Sequence, residues 1–389
     1  MKHMNYILGS ALLLFMTGTS YGCNLKAHTK ERTILTTSFA DEKPVKQYVK
    51  IALLLDTSNS MDGLINQAKA QLWDIVNEFT HAKCDTNLRP SLQIALYEYG
   101  NDDLSSREGY IRQVLGFSND LDEISEKLFS LTTNGGEEYC GQVIHTSLKQ
   151  LEWGKNADDL KMIFIAGNEP FTQGKLDYQD ATTNAKEKDV IVNTIFCGNY
   201  DQGISTMWKQ GAVLTGGEYM AIDHNRQVVH INTPYDDVII RLNSKLNNTY
   251  ISYGSVGRQK KELQSVQDAN AAELEEVVAV KRAVSKSSRF YKNSQWDLVD
   301  AVEDDESMIS ELKDKELPEE LQGKSEGEIK SYVKQKKTER EEIQKQIQEL
   351  NAKREVYIAE HQKEETGELE NAMLSAIRAQ AAKKNYTWD

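Results

Sequence analysis

Residues 51–61 read Ile-Ala-Leu-Leu-Leu-Asp-Thr-Ser-Asn-Ser-Met, and no other stretch constrains the fold as strongly. An unbroken apolar run stops abruptly at Asp56. Such a run, short and bounded by polar sequence, suits a strand buried on both faces of a helix-covered parallel sheet. Asp56, Ser58 and Ser60 then alternate in the loop at the strand's carboxyl end. Open α/β sheets place their ligands at that edge. One carboxylate and two hydroxyls form a hard-oxygen set suited to Mg²⁺, or to a similar ion such as Mn²⁺, with water completing the octahedron.

Strand-like and helix-like patterns alternate from Val49 to about Gly254. After the polar loop, Leu64, Ile65, Ala68, Leu72, Ile75, Val76 and Phe79 recur at helical spacing. Strands are predicted at Leu92–Tyr99, at Tyr110–Phe117 on an edge, and at Lys161–Ala166, Val190–Cys197 and Tyr219–Ile222. Helices are predicted at Asp122–Leu131, Gly141–Trp153, Tyr178–Lys188, Gly203–Leu214 and Asp236–Asn247. This alternation implies an α/β fold with a doubly wound, mostly parallel sheet and helices on both faces.

Beyond Gly257 the chain becomes strongly charged, and Pro318 is its only proline. One helix is predicted over Gln259–Ser285, a long one over Ser325–Gln362 and a small one over Leu369–Ala382. Ile343, Ile347, Leu350 and Tyr357 form a seam that suits a short coiled coil. Two readings of this long-helix C-terminal region stand side by side. It is a solvated helical hairpin packed weakly on the globular domain, or it is a spacer or partner-docking arm. The division expected is a signal peptide over 1–22, a tether over 23–47, the α/β domain over 48–254 and the helical region over 255–389.

The first residues have the pattern of a targeting segment. Lys2 and His3 precede the apolar stretch Tyr6–Met16, which is too short to span a bilayer. Gly22-Cys23 resembles the end of a bacterial lipobox, although Ser20 and Tyr21 depart from that pattern. The resemblance implies that Cys23 is lipidated and anchors the chain in the bacterial cell envelope, facing the periplasm or the surface. The alternative is an ordinary secreted protein in which Cys23 is incidental.

Asp56-Thr57-Ser58-Asn59-Ser60 resembles the D-x-S-x-S motif that opens the metal ion-dependent adhesion site (MIDAS) of von Willebrand factor type A domains. Members of that family usually add a Thr from a second loop and an Asp from a third. Here Gly135-Gly136 aligns with the second loop, but Glu137 stands where the Thr is expected. In the third loop the usual Asp-Gly becomes Gly167-Asn168. The implied metal set is therefore Asp56, Ser58, Ser60 and Glu137, with Asn168 and Glu169 binding directly or through water. Charge balance at the ion is kept if Glu137 or Glu138 turns inward. Gly135–Gly141, Ala166–Gly174 and the tail residues Ala372-Met373 and Ala379–Lys384 also resemble a subgroup of bacterial type A lipoproteins. That resemblance implies a fold but no activity.

Among the 389 residues the net charge is −14, which argues against nucleic acid and against docking on anionic lipid headgroups. With Cys23 set aside, three thiols remain. Cys140 and Cys197 are expected at the same carboxyl edge of the sheet and form the candidate disulfide, against the alternative of three separate thiols. No His sits in a recognisable catalytic triad, and the expectation is that the chain is not an enzyme. Two functions follow. The family resemblance implies an envelope protein whose metal ion accepts a carboxylate from a partner protein. The alternative is a structural lipoprotein with a degenerate metal site, whose helical C-terminal arm is the interaction element.

Overall fold

The chain is described by a computed structural model covering residues 46–59, 61–84, 88–223, 231–361 and 368–388. Cys23 and the rest of the expected signal and tether up to residue 45 lie outside the described residues. β1 (Tyr48–Asp56) is the buried strand expected from the apolar run. α1 (Asp62–Glu78) and the short β2 (Ala82–Lys83) lead to β3 (Ser91–Tyr99) and β4 (Ile111–Ser118). Then come α2 (Leu121–Phe129), α3 (Cys140–Gln150), β5 (Leu160–Gly167), α4 (Tyr178–Glu187) and β6 (Ile191–Cys197). α5 (Tyr200–Ser205), α6 (Trp208–Val213), β7 (Tyr219–Ile222) and α7 (Asp236–Asn247) complete the α/β part.

The sheet order is β4-β3-β1-β5-β6-β7. All neighbours are parallel except the edge strand β4, which runs antiparallel to β3. Side-chain alternation divides the core into two layers. Ile51, Leu53 and Leu55 of β1 face one layer with Leu64 and Leu72 of α1. Ala52 and Leu54 face the other, with Val143 and Ile144 of α3. From β1 the chain moves outward to β3 and β4, then returns to place β5 on the other flank of β1. The loops leaving β1 and β5 therefore diverge, and a crevice opens between their carboxyl ends.

Two predicted helices are broken. Gly203–Leu214 divides at Met207, whose φ of 72° cannot continue a right-handed helix. The break lets Phe171 N–H donate to Thr206 O at 2.9 Å and Trp208 Nε1–H donate to Glu169 O at 2.7 Å, which pins the loop after β5. Gln259–Ser285 divides at Glu275, where the backbone is extended, into α8 (Gly257–Leu274) and α9 (Glu276–Lys286).

The helical region continues with α10 (Leu298–Asp304), α11 (Met308–Glu311), α12 (Glu326–His361), α13 (Glu368–Ala382) and β8 (Thr387–Trp388). It neither packs weakly nor projects as an arm, and both readings of the tail are corrected here. Val277, Val278 and Val280 of α9, Ile343 and Ile347 of α12, and Met373 and Ile377 of α13 share the apolar layer of α1. The Ile343–Ile347 seam is thus occupied by the chain's own core, not by a coiled-coil partner. β8 pairs with β2, joining the last described residues to the end of α1.

Buried ion pairs tie the two parts together. Arg282 of α9, only 1% exposed, holds Asp122 of α2 at 2.7 Å and Asp268 of α8 at 2.6 Å. Lys281 meets Asp74 of α1 at 2.8 Å, and Arg354 of α12 meets Asp236 of α7 at 3.0 Å. Burial works against the Asp268 carboxylate, but Lys286 and Arg282 outweigh it and hold its pKa well below the usual value. Breaking a buried pair strands the remaining charge, so Arg282→Met should lose about 3–5 kcal/mol by urea unfolding. Asp268 titrates lower in the folded state than in the unfolded one. Its contribution is present above the unfolded carboxyl pKa and is lost as pH falls through the folded value. Asp268→Asn should flatten that acid limb of the stability curve.

Candidate metal centre

The crevice between β1 and β5 gathers three loops. Asp56 ends β1, fully buried, with Oδ1 accepting from Ser58 N–H at 2.8 Å. Its Oδ2 is buried with no hydrogen-bond partner. The backbone of Asn168, in the loop after β5, lies beside this carboxyl group and favours its charged form. Thr57 is held from two sides: its N–H donates to Tyr99 O at 2.9 Å, and its carbonyl accepts from Asn134 N–H at 3.0 Å. The first loop is thereby fixed to the end of β3 and to the second loop.

Glu138 enters from the second loop and is 6% exposed. It lies over Gly100, where a Cβ would come within 2.7 Å of Glu138 Cγ and 3.0 Å of Asp56 Oδ1. Gly100 also has a φ of +78°, so both backbone and space require glycine there. The Ser58 hydroxyl lies within hydrogen-bonding reach of both carboxyl groups. Burial pushes the Asp56 pKa up to about 7 against the Ser58 hydrogen bonds, and Glu169 adds repulsion. Burial, then Asp56, then Glu169 push Glu138 up to about 7.

Asp56 and Ser58 therefore sit where the sequence placed them. Ser60 lies outside the described residues. Asn168 is half-buried, and Glu169 is exposed at the rim. Glu137 is corrected: it is exposed, turned outward, and accepts from Gln173 Nε2–H at 3.2 Å. Glu138 takes the inward place because residues 137–140 alternate sides, and Cys140 at the start of α3 is fully buried. That alternation with a core cysteine was the signal available in the sequence. Among the described residues no three His, Cys, Asp or Glu side chains gather as a metal-binding group. The oxygen set here instead mixes two carboxyls with a hydroxyl.

The expected Cys140–Cys197 bridge is also corrected, since Cys84, Cys140 and Cys197 are all buried free thiols. Cys140 lies in the α3 layer and Cys197 in the α1 layer, so the sheet stands between two residues that share an edge. Tyr99 occupies the space beside Cys140, its OH 3.8 Å from Sγ and donating to Ala166 O at 2.9 Å. Burial drives the Cys140 and Cys197 thiols well above their ordinary pKa. A thiol reagent should therefore leave both unmodified in the native protein and label all three after unfolding without reduction. Peptide mapping reads the outcome.

The family model of the von Willebrand factor type A domain matches residues 50–206. Residues 50–206 are a von Willebrand factor type A domain. Solved structures similar to the chain include BatB from Bacteroides thetaiotaomicron, at 15% identity over 45% of this chain and 90% of that one, with a TM-score of 0.34. The SpRpn10 VWA domain matches at 12% identity over 46% of this chain and 90% of that one, with a TM-score of 0.35. Proximal thread matrix protein 1 from the mussel byssus, with a zinc-occupied MIDAS motif, matches at 13% identity and a TM-score of 0.35. That match covers 46% of this chain and 43% of the mussel protein. Comparison with curated proteins finds no match. The Asp56 loop lies within the matched residues. The residues present fit a hard divalent cation: a buried carboxylate oxygen is left unpartnered, a second buried carboxyl lies beside it, and a hydroxyl joins them.

Proposed function

We propose that this chain is a non-enzymatic binding module of the bacterial cell envelope. Its type A domain holds Mg²⁺ or Mn²⁺ at the crevice and captures a partner protein through the partner's carboxylate. The observation that carries this reading is Asp56 Oδ2, a buried acceptor without a partner at the carboxyl end of β1. An unsatisfied buried carboxylate oxygen is costly, and a cation offsets that cost. The bound ion supplies positive charge and open coordination positions. Asp56 and Ser58 would hold it, with Ser60 as expected from the motif. The Asn168 backbone lies beside the Asp56 carboxyl, and Glu169 at the rim adds negative charge to the crevice. The Cys140 thiol is buried and held protonated, so it does not supply a nucleophile at this edge.

A native-state ligand raises stability by mass action, by about 2.7 kcal/mol at one hundred times its Kd. Wild type should melt higher in Mg²⁺ or Mn²⁺ than in EDTA, and Asp56→Ala should lose most of that difference. The pH dependence has a definite sign. Asp56 and Glu138 titrate near 7 in the folded state, above their unfolded values. Without metal, the folded state holds extra protons between about pH 4 and 7, so stability falls as pH rises through that window. Cation binding requires the deprotonated carboxylates, so the gain from metal should be larger at pH 8 than at pH 6. Equal melting with and without metal at pH 8 contradicts the proposal.

Envelope anchoring rests on Cys23, outside the described residues. Lipid on Cys23 is the anchor proposed, because Gly22-Cys23 follows the signal-type apolar stretch Tyr6–Met16. Cys23→Ala should move the protein from the membrane fraction to the soluble one. Retention of the variant in membranes contradicts the anchor but leaves the metal reading intact.

A further inference from the structure

We infer that Glu138 is the second anionic ligand of the cation, and that it replaces the aspartate which type A domains usually supply from the third loop. This rests on the metal reading above and adds a residue that the family pattern does not assign. Two observations on opposite sides of Asp56 lead to it.

The third loop has no room for the usual carboxylate. Gly167 stands where that aspartate is expected. A Cβ at Gly167 would lie 2.5 Å from Tyr99 Oη and 2.9 Å from Asp56 Oδ2. Tyr99 is fully buried and held in place by its hydrogen bond to Ala166 O, so it has little freedom to withdraw. Side chains of any size are thus excluded at residue 167, and the glycine is enforced by Tyr99.

The second loop supplies the missing charge. Glu138 lies on the far side of Asp56, over the space left open by Gly100. It is buried beside the Ser58 hydroxyl, the group shared with Asp56. The unpartnered, buried Asp56 Oδ2 is the independent observation that points to a cation here. Two carboxylates balance a divalent cation within the chain itself. The ion should then be retained without any partner, and the partner's oxygen adds to a site that is already neutral.

The test measures Mn²⁺ binding to the full chain by electron paramagnetic resonance, with folding checked by urea unfolding. Glu138→Gln keeps the shape of the side chain and removes its charge, and it should weaken Mn²⁺ binding at least tenfold. Glu138→Thr installs a residue of the family's usual type and should weaken binding equally. Glu137→Gln should remain within twofold of wild type. Wild-type affinity in a folded Glu138→Gln, alongside loss of binding in Asp56→Asn, overturns the role of Glu138 alone. Loss of binding in Glu137→Gln with retention in Glu138→Gln also overturns it, and returns the role to Glu137. Absence of Mn²⁺ binding in wild type overturns both this inference and the metal reading beneath it.

Discussion

Arg282 carries a full positive charge at 1% exposure, and the joining of the two parts of the chain depends on how that charge is met. Burying a guanidinium is tolerable only with carboxylates and hydrogen bonds in good geometry. Asp122 from the α/β part and Asp268 from the helical part supply the carboxylates, and Gln264 O accepts a further bond at 3.1 Å. Tyr291 OH donates to the other oxygen of Asp122. Removing Arg282 leaves the buried Asp122 carboxylate without its cation. The ion pairs at Asp74 and Asp236 repeat the same logic along α1 and α7. Together they make the C-terminal helices part of the body that carries the crevice.

The crevice depends on the same packing from its other side. β1 and β5 are central strands, and their outgoing loops part because the chain winds in opposite directions from them. α1 follows the Asp56 loop directly, and α9 and α13 share its apolar layer. The loop is therefore held between a rigid strand and a helix braced from behind. Trp208 and Thr206 brace the third loop, while Asn134 joins the second loop to the first. Preorganisation of this kind holds the Asp56 and Glu138 carboxyl groups close together despite their mutual repulsion.

Much of this was legible in the chain. The apolar run ending at Asp56, the helical periodicity of α1 and the strand–helix alternation are local signals, and local signals survive without tertiary information. They led to the sheet and to its carboxyl edge, where Asp56 and Ser58 lie. The errors share a different cause. Choosing Glu137 over Glu138 turned on which way two adjacent side chains point, and the burial of Cys140 decides that. Pairing Cys140 with Cys197 used their common edge but not the sheet between them. The helical tail looked solvated because its charges were read as a surface, yet Arg282, Lys281 and Arg354 are buried partners of distant carboxylates.

By itself, the sequence determined the type A fold, the position of the Asp56 loop and the existence of a long-helix extension, because each rests on hydrophobic period and short-range residue order. Only the tertiary structure decided where the extension goes and how charge is arranged at the site. Asn193 makes the point on a buried strand: its Nδ2 donates to Gln380 Oε1 at 3.2 Å, from a helix at the other end of the chain. A buried polar group needs a partner, but its own neighbourhood in sequence cannot name one. The same holds for Gly167, whose missing side chain is enforced by Tyr99 from another strand, and for Glu138, brought to Asp56 by the packing of three loops.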